Sequence, residues 1–133
     1  MIKLNRKKEI NKKMQDINMR NYAHLGDAVW ELYIREHVVD MCNNPKELHR
    51  ITTSKVNSKF QSEMLNLIED ELTENEEEIK RRARNMEVPV GRRNNQSEYR
   101  QATAFEALIG YWYREDRERL KKILDKLLKE ILK

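Results

Sequence analysis

The sequence predicts an all-α fold: a single domain of about six to seven helices spanning residues 1–133. Three observations carry this. Gly totals 3 and Pro 2, too few for the turns of an all-β architecture. Apolar residues recur at helical spacing along most of the chain. Helix-start residues fall between those periodic stretches. At 133 residues the chain is long enough for one real hydrophobic core.

The elements follow in order. Residues 1–16 form a basic N-terminal segment, either a weakly amphipathic helix or an arm. A long helix is expected over about 18–39, where Leu25, Val29, Leu32, Tyr33 and Val39 recur at helical spacing. It is apolar around much of its circumference, which marks it as the central buried helix, with Trp30 and Tyr33 on a second apolar side. Asn44-Pro45 restarts the chain, Asn as N-cap and Pro at the first helical position, and a short helix runs to about Ile51. Thr53 or Ser54 then caps a helix whose stripe is Val56, Phe60, Met64, Leu67 and Ile68. Thr73-Glu74-Asn75-Glu76 has the capping-box form. The helix it opens has an acidic start and a basic end, Lys80 to Arg84, and both suit the macrodipole. Residues 86–96, with Pro89, Gly91 and Asn94-Asn95, read as a loop. Ser97-Glu98 opens a strongly apolar helix to about Arg114. The last helix puts Leu120, Ile123, Leu124, Leu127, Leu128, Ile131 and Leu132 on one face and Lys on the other.

Charge is segregated along the chain. Lys+Arg is 27 against Asp+Glu 23, a net charge of +4. Phe60 to Ile79 holds eight acids and no Lys or Arg, whereas Lys80 to Arg100 holds seven basic residues and two acids. Lys3 to Lys13 carries six basic residues and one acid. Such segregation separates a face for a polyanion from a face for solvent. The single Cys42 excludes an intramolecular disulfide and fits a reducing cytoplasm. No apolar run is long enough to span a membrane, and none has the form of a signal peptide.

Two acids stand apart from this pattern. From Ile17 to Trp30 the only carboxylate is Asp27, and from Tyr99 to Tyr113 the only one is Glu106. A charge on a core-facing stretch costs several kcal/mol unless it is compensated, roughly. A divalent metal shared by both acids compensates them, and so does a helix cap or a buried Arg for each; the pattern alone leaves both open. His24, Asp27, Glu31 and Arg35 form one polar stripe, on which Glu31 pairs with Arg35 at i+4. Around Glu106, Ala102, Thr103, Ile109 and Gly110 are small enough, in part, to leave room for an ion and a facing helix. The hydroxyl of Thr103 is expected to bond its own helix.

Leu25-Gly26-Asp27-Ala28-Val29, followed by Phe105-Glu106-Ala107-Leu108-Ile109-Gly110, resembles the paired signatures of ribonuclease III catalytic domains. The closer resemblance is to Mini-ribonuclease III, the small group without a double-stranded-RNA-binding domain. Arg81-Arg82-Ala83-Arg84-Asn85 is similar to its basic segment, and Tyr99-Arg100 precedes the second acid as it does there. The resemblance covers nearly all of residues 18–132. Larger family members carry acids four and seven residues before the first Asp and three before the second Glu. Here those positions are Ala23, Arg20 and Thr103, a departure that points toward the smaller group. His24 stands where that group more often has an aromatic, Ala83 where it often has Gly, and Glu87 where Lys is common.

The resemblance implies a Mg²⁺-dependent endoribonuclease acting on double-stranded RNA as a cytoplasmic homodimer, with two sites per dimer and staggered cuts leaving 3′ overhangs. It implies a role in maturing a large-subunit ribosomal RNA precursor. It makes Asp27 and Glu106 the catalytic and metal-binding residues, and Arg81, Arg82, Arg84, Asn85 and Arg100 RNA contacts. By charge, Lys59 adds a contact from the preceding helix and Arg92 and Arg93 lie in the same basic region, while Tyr99 either packs against ribose or plugs the core. Duplex RNA offers two phosphate ridges and a shallow minor groove, a target that such a basic cluster suits. The competing reading is a non-catalytic, ribosome-associated RNA-binding protein on the same fold. Retention of both acids argues against it. A DNA-binding helical protein needs a recognition helix, and no helix-turn-helix pattern demands one.

Overall fold

The computed structural model describes residues 15–133 as six α-helices joined by short connections. The expected N-terminal segment lies, up to residue 14, outside the described residues. The helices are α1 (Gln15–Val38), α2 (Pro45–Val56), α3 (Ser58–Ile68), α4 (Glu74–Arg84), α5 (Gln96–Glu115) and α6 (Arg117–Ile131). Short 3-10 stretches fall at Glu69–Glu71 and Val90–Asn95, the second inside the stretch expected as a loop. The all-α expectation holds: the described residues contain no strand.

Local chemistry sets most boundaries. The Asn44 side chain accepts from the N–H groups of Lys46 (2.9 Å) and Glu47 (3.3 Å), so Pro45 starts α2 where its missing N–H costs nothing. α2 does not stop at Ile51. Thr53 and Ser54 lie inside α2, where the Ser54 hydroxyl donates to the Ile51 carbonyl at 2.6 Å, so neither caps the next helix. The break comes at Asn57, the last cap of α2 and the first of α3. Its Oδ1 accepts from the Phe60 N–H at 2.8 Å, while its Nδ2 donates to the Thr53 carbonyl at 3.2 Å. The capping box at Thr73 forms as expected: Glu76 N–H donates to the Thr73 hydroxyl at 3.2 Å, and Thr73 N–H donates to the Glu76 carboxylate at 2.9 Å.

The central helix is α5, not α1. α5 packs against α1, α3, α4 and α6, and buries Ala102, Ala104, Phe105, Ala107, Leu108, Ile109, Gly110 and Trp112. α1 keeps one side exposed, including His24, Ala28, Leu32 and Arg35. Its apolar residues divide between that side and the core. Trp30 is fully buried, edge-on to Phe105, and its indole N–H donates to the Lys55 carbonyl at 2.8 Å. Tyr33 donates to the Leu124 carbonyl at 3.2 Å. Both therefore belong to the core, and the expectation that they form a second, outward apolar side is corrected. α6 closes the bundle with Leu120, Ile123, Leu124, Leu127 and Ile131 buried, each such side chain stabilising by about 1.5–3 kcal/mol. Among the described residues no helix is long and apolar enough to cross a membrane.

Candidate active site

The two acid motifs meet where α1 crosses α5. A Cβ built on Gly26 would lie 1.7 Å from the Glu106 carbonyl oxygen, and one on Gly110 would lie 1.9 Å from the Tyr22 carbonyl oxygen. The backbones touch there, and only glycine fits. Asp27 follows Gly26, and Glu106 stands one turn before Gly110, so this crossing sets the carboxylates side by side. They share a hydrogen bond. Burial, reinforced by that hydrogen bond and by the charge of Asp27, pushes the Glu106 carboxyl up to about 9. Glu106 therefore keeps a proton at neutral pH. Asp27 is exposed and Glu106 half-buried, so only the second acid occupies the core-facing position expected for both.

The pair sits between two open clefts. One, of about 300 Å³, runs between α1, the end of α4 and α5, and holds Arg20, His24, Glu87 and Arg100 with the two acids. The other, of about 450 Å³, runs between the α2–α3 junction and the start of α5, and holds Asn57, Ser58, Lys59 and Glu98 with the same acids. Tyr99 and Thr103 line both. The Thr103 hydroxyl donates to the Tyr99 carbonyl at 2.9 Å, the helix bond expected of it. Glu31 and Arg35 pair at 3.8 Å along α1, the i+4 pairing expected of them.

The basic segment lies beside this site with two of its arginines, Arg81 and Arg82, already engaged. Arg81 donates to Glu78 through Nε at 3.0 Å and Nη2 at 2.6 Å, and Arg82 donates to the same carboxylate through Nε at 3.0 Å. Those guanidinium contacts, the hydrogen bonds first, hold the Glu78 carboxyl down at about 2. Arg84 is exposed. Asn85 closes α4, its N–H donating to the Arg81 carbonyl at 3.1 Å. Arg100 turns one nitrogen to the backbone carbonyls of Arg84 and Met86, so it pins the end of α4 to α5 at the edge of the cleft. The side chains of Arg92 and Arg93 lie outside the described residues.

Several cleft residues escaped the sequence reading. Arg20 is seven residues before Asp27, hence on the same face of α1, and that spacing was signal enough to find it. Asn57, Ser58 and Glu98 reach the site through tertiary packing of α3 on α5, which no local spacing reveals. Among the described residues no group of three His, Cys, Asp or Glu side chains gathers. Two carboxylate oxygens with open positions around them still suit Mg²⁺, which binds through one or two carboxylates and keeps water or takes phosphate oxygens elsewhere.

Comparison with known proteins matches this arrangement to one family. The Ribonuclease III domain model matches residues 20–117. The chain is 39% identical over 111 residues to the Mini-ribonuclease 3 of Gloeobacter violaceus, covering 84% of this chain and 82% of that one. It is 44% identical over 106 residues to the Mini-ribonuclease 3 of Thermoanaerobacter sp., covering 77% of this chain and 75% of the other. An X-ray crystal structure of a Fusobacterium nucleatum protein superposes with a TM-score of 0.75 at 36% identity, covering 84% of this chain and 92% of that one. A glycine crossing that joins one Asp to one Glu, on a helical fold matched over most of its length, places the chain in the ribonuclease III family and, within it, among the Mini-ribonucleases III.

Proposed function

We propose that this endoribonuclease hydrolyses double-stranded RNA at the Asp27–Glu106 pair, with Mg²⁺, as a single-domain cytoplasmic homodimer that matures a large-subunit ribosomal RNA precursor. The observation that carries the reading is the position of the pair. It stands at a backbone-to-backbone helix crossing, open to two clefts with Arg20 and Arg100 in one and Lys59 in the other. A phosphodiester laid across the two clefts meets cations on both sides of the acids.

The ion would be held by Asp27 and Glu106; when bound it neutralises charge on the phosphodiester and lowers the pKa of the attacking water. The protein's own residues prepare this. Glu106, held protonated by burial and by the neighbouring Asp27, would give up that proton to hold the ion, which would make RNA cleavage depend on pH as well as on metal. Arg20, Lys59 and the α4 arginines orient the RNA through its phosphates, contacts that position without reading sequence. The ribosomal role and the dimer rest on likeness to the family.

The test is cleavage of duplex RNA against duplex DNA, with Mg²⁺ and with chelator, by the wild type and by Asp27→Asn and Glu106→Gln. Each variant is expected to bind duplex RNA and to lose nearly all cleavage. Wild-type rates in either variant refute the two-acid site. RNA binding by the wild type with no Mg²⁺-dependent cleavage favours the non-catalytic reading instead.

A further inference from the structure

The Glu78 carboxylate bridges the guanidinium groups of Arg81 and Arg82, two N–H groups of the first and one of the second, all within 2.6–3.0 Å. A phosphate takes the same forked contacts from arginine as a carboxylate does. Glu78 and Arg81 also line a groove of about 900 Å³ along α4, together with Glu74, Glu77, Lys80, Arg84, Asn85 and Arg100. Arg100 lines both this groove and the cleft of the acid pair, so the two adjoin at that residue. We propose that Glu78 occupies the seat of an RNA phosphate in the free protein, and that binding RNA displaces its carboxylate from Arg81 and Arg82. This rests on the reading of α4 as an RNA contact.

The seat is easily vacated. Arg81 is 61% exposed and the Glu78 side chain 43% exposed, and ion pairs at such exposure are weak in water. Lys80, by contrast, is 14% exposed and held by Glu77 at 2.8 Å and Glu69 at 3.6 Å, so it stays with the protein. The displaced carboxylate remains near the bound phosphate and repels it, which lowers affinity and speeds release of the cut product.

Glu78→Gln is therefore expected to tighten duplex RNA binding by about threefold, the effect of one unit charge about 7 Å away in water. The slope of log K against log salt should steepen by about one, because the displaced wild-type carboxylate takes up a cation from solution as RNA binds and the glutamine does not. Dissociation should slow. Glu130→Gln changes net charge equally on α6 and should leave all three readouts unaltered. Unchanged or weaker binding in Glu78→Gln, at an unaltered melting temperature, overturns the proposal: weaker binding would make Glu78 an orienter of the arginines. The triple change of Arg81, Arg82 and Arg84 to Ala tests the underlying reading separately. If the triple variant binds normally, α4 is not an RNA contact; if it weakens binding while Glu78→Gln does not tighten it, only the displacement fails.

Discussion

Glu106 couples proton, metal and stability at one atom pair. Its carboxyl is raised from the usual 4.5 to about 9 by burial and by Asp27. The folded state then binds more protons than the unfolded state between those values, so stability falls as pH rises through that window. In chelator, wild-type melting temperature should decline from about pH 4.5 to about pH 9, and the decline should be shallower in Glu106→Gln. Equal slopes in scanning calorimetry would contradict the raised carboxyl. The neighbouring glycine is equally constrained. Gly26→Ala drives a methyl into the Glu106 carbonyl at 1.7 Å, backbone that has no rotamer to yield. Overpacking typically costs about 1–3 kcal/mol, and a backbone clash this close belongs at the upper end, since relief requires the helices to part. Circular-dichroism melts should show that loss, and cleavage should fall with it; a fully active, equally stable Gly26→Ala protein would disprove the close crossing. The lone acids and the small residues around them were legible in the sequence because they break its pattern. That one acid faces solvent and the other the crossing was not legible, since helix rotation is set by packing.

Among elements, α4 is held by a buried ion pair. Glu76 is 5% exposed, accepts from the Trp112 indole at 2.7 Å, and takes two bonds from Arg119 at 3.0 and 2.9 Å. Burial alone would raise its carboxyl, but the hydrogen bonds from Arg119, the Thr73 backbone and Trp112 outweigh it and hold the carboxyl low. One side chain thus closes the capping box of α4 and ties α4 to α5 and α6. Arg119→Ala leaves an uncompensated buried charge and should cost about 3–5 kcal/mol, read by urea denaturation; a cost below about 1 kcal/mol would show that the pair is solvated. The capping box itself was visible as Thr73 and Glu76. Its second partner was not, because Arg119 is 43 residues away. The pairing of Glu78 with Arg81 and Arg82 has i,i+3 and i,i+4 spacing, so it was readable locally, yet the basic run hid it. The α2–α3 break falls at Asn57 and not at Thr53 or Ser54, because the Asn57 side chain caps α3 by accepting from the Phe60 N–H.

The assembled molecule leaves an outward apolar side on α1 that Trp30 and Tyr33 do not occupy. Leu32 is 59% exposed and Val39 56%, with Ala28 on the same exposed side. A two-fold pairing of the domain would place two sites on the two strands of one duplex. Light scattering should report about twice 16.1 kDa without RNA. Leu32→Glu, at an exposed position, should leave the fold intact and shift the mass toward one chain; a monomeric wild type with full duplex cleavage would refute paired sites. The sequence by itself determined the helical class, most helix starts, and the identity of the two acids, because periodicity, caps and composition act over a few residues. Only the tertiary structure decided that α5 is the centre, that Trp30 and Tyr33 turn inward, and that Arg100 joins the end of α4 to the edge of the acid cleft. Those outcomes depend on which helix faces which, and Gly26 against Gly110 settles that by letting two backbones meet where any side chain would hold them apart.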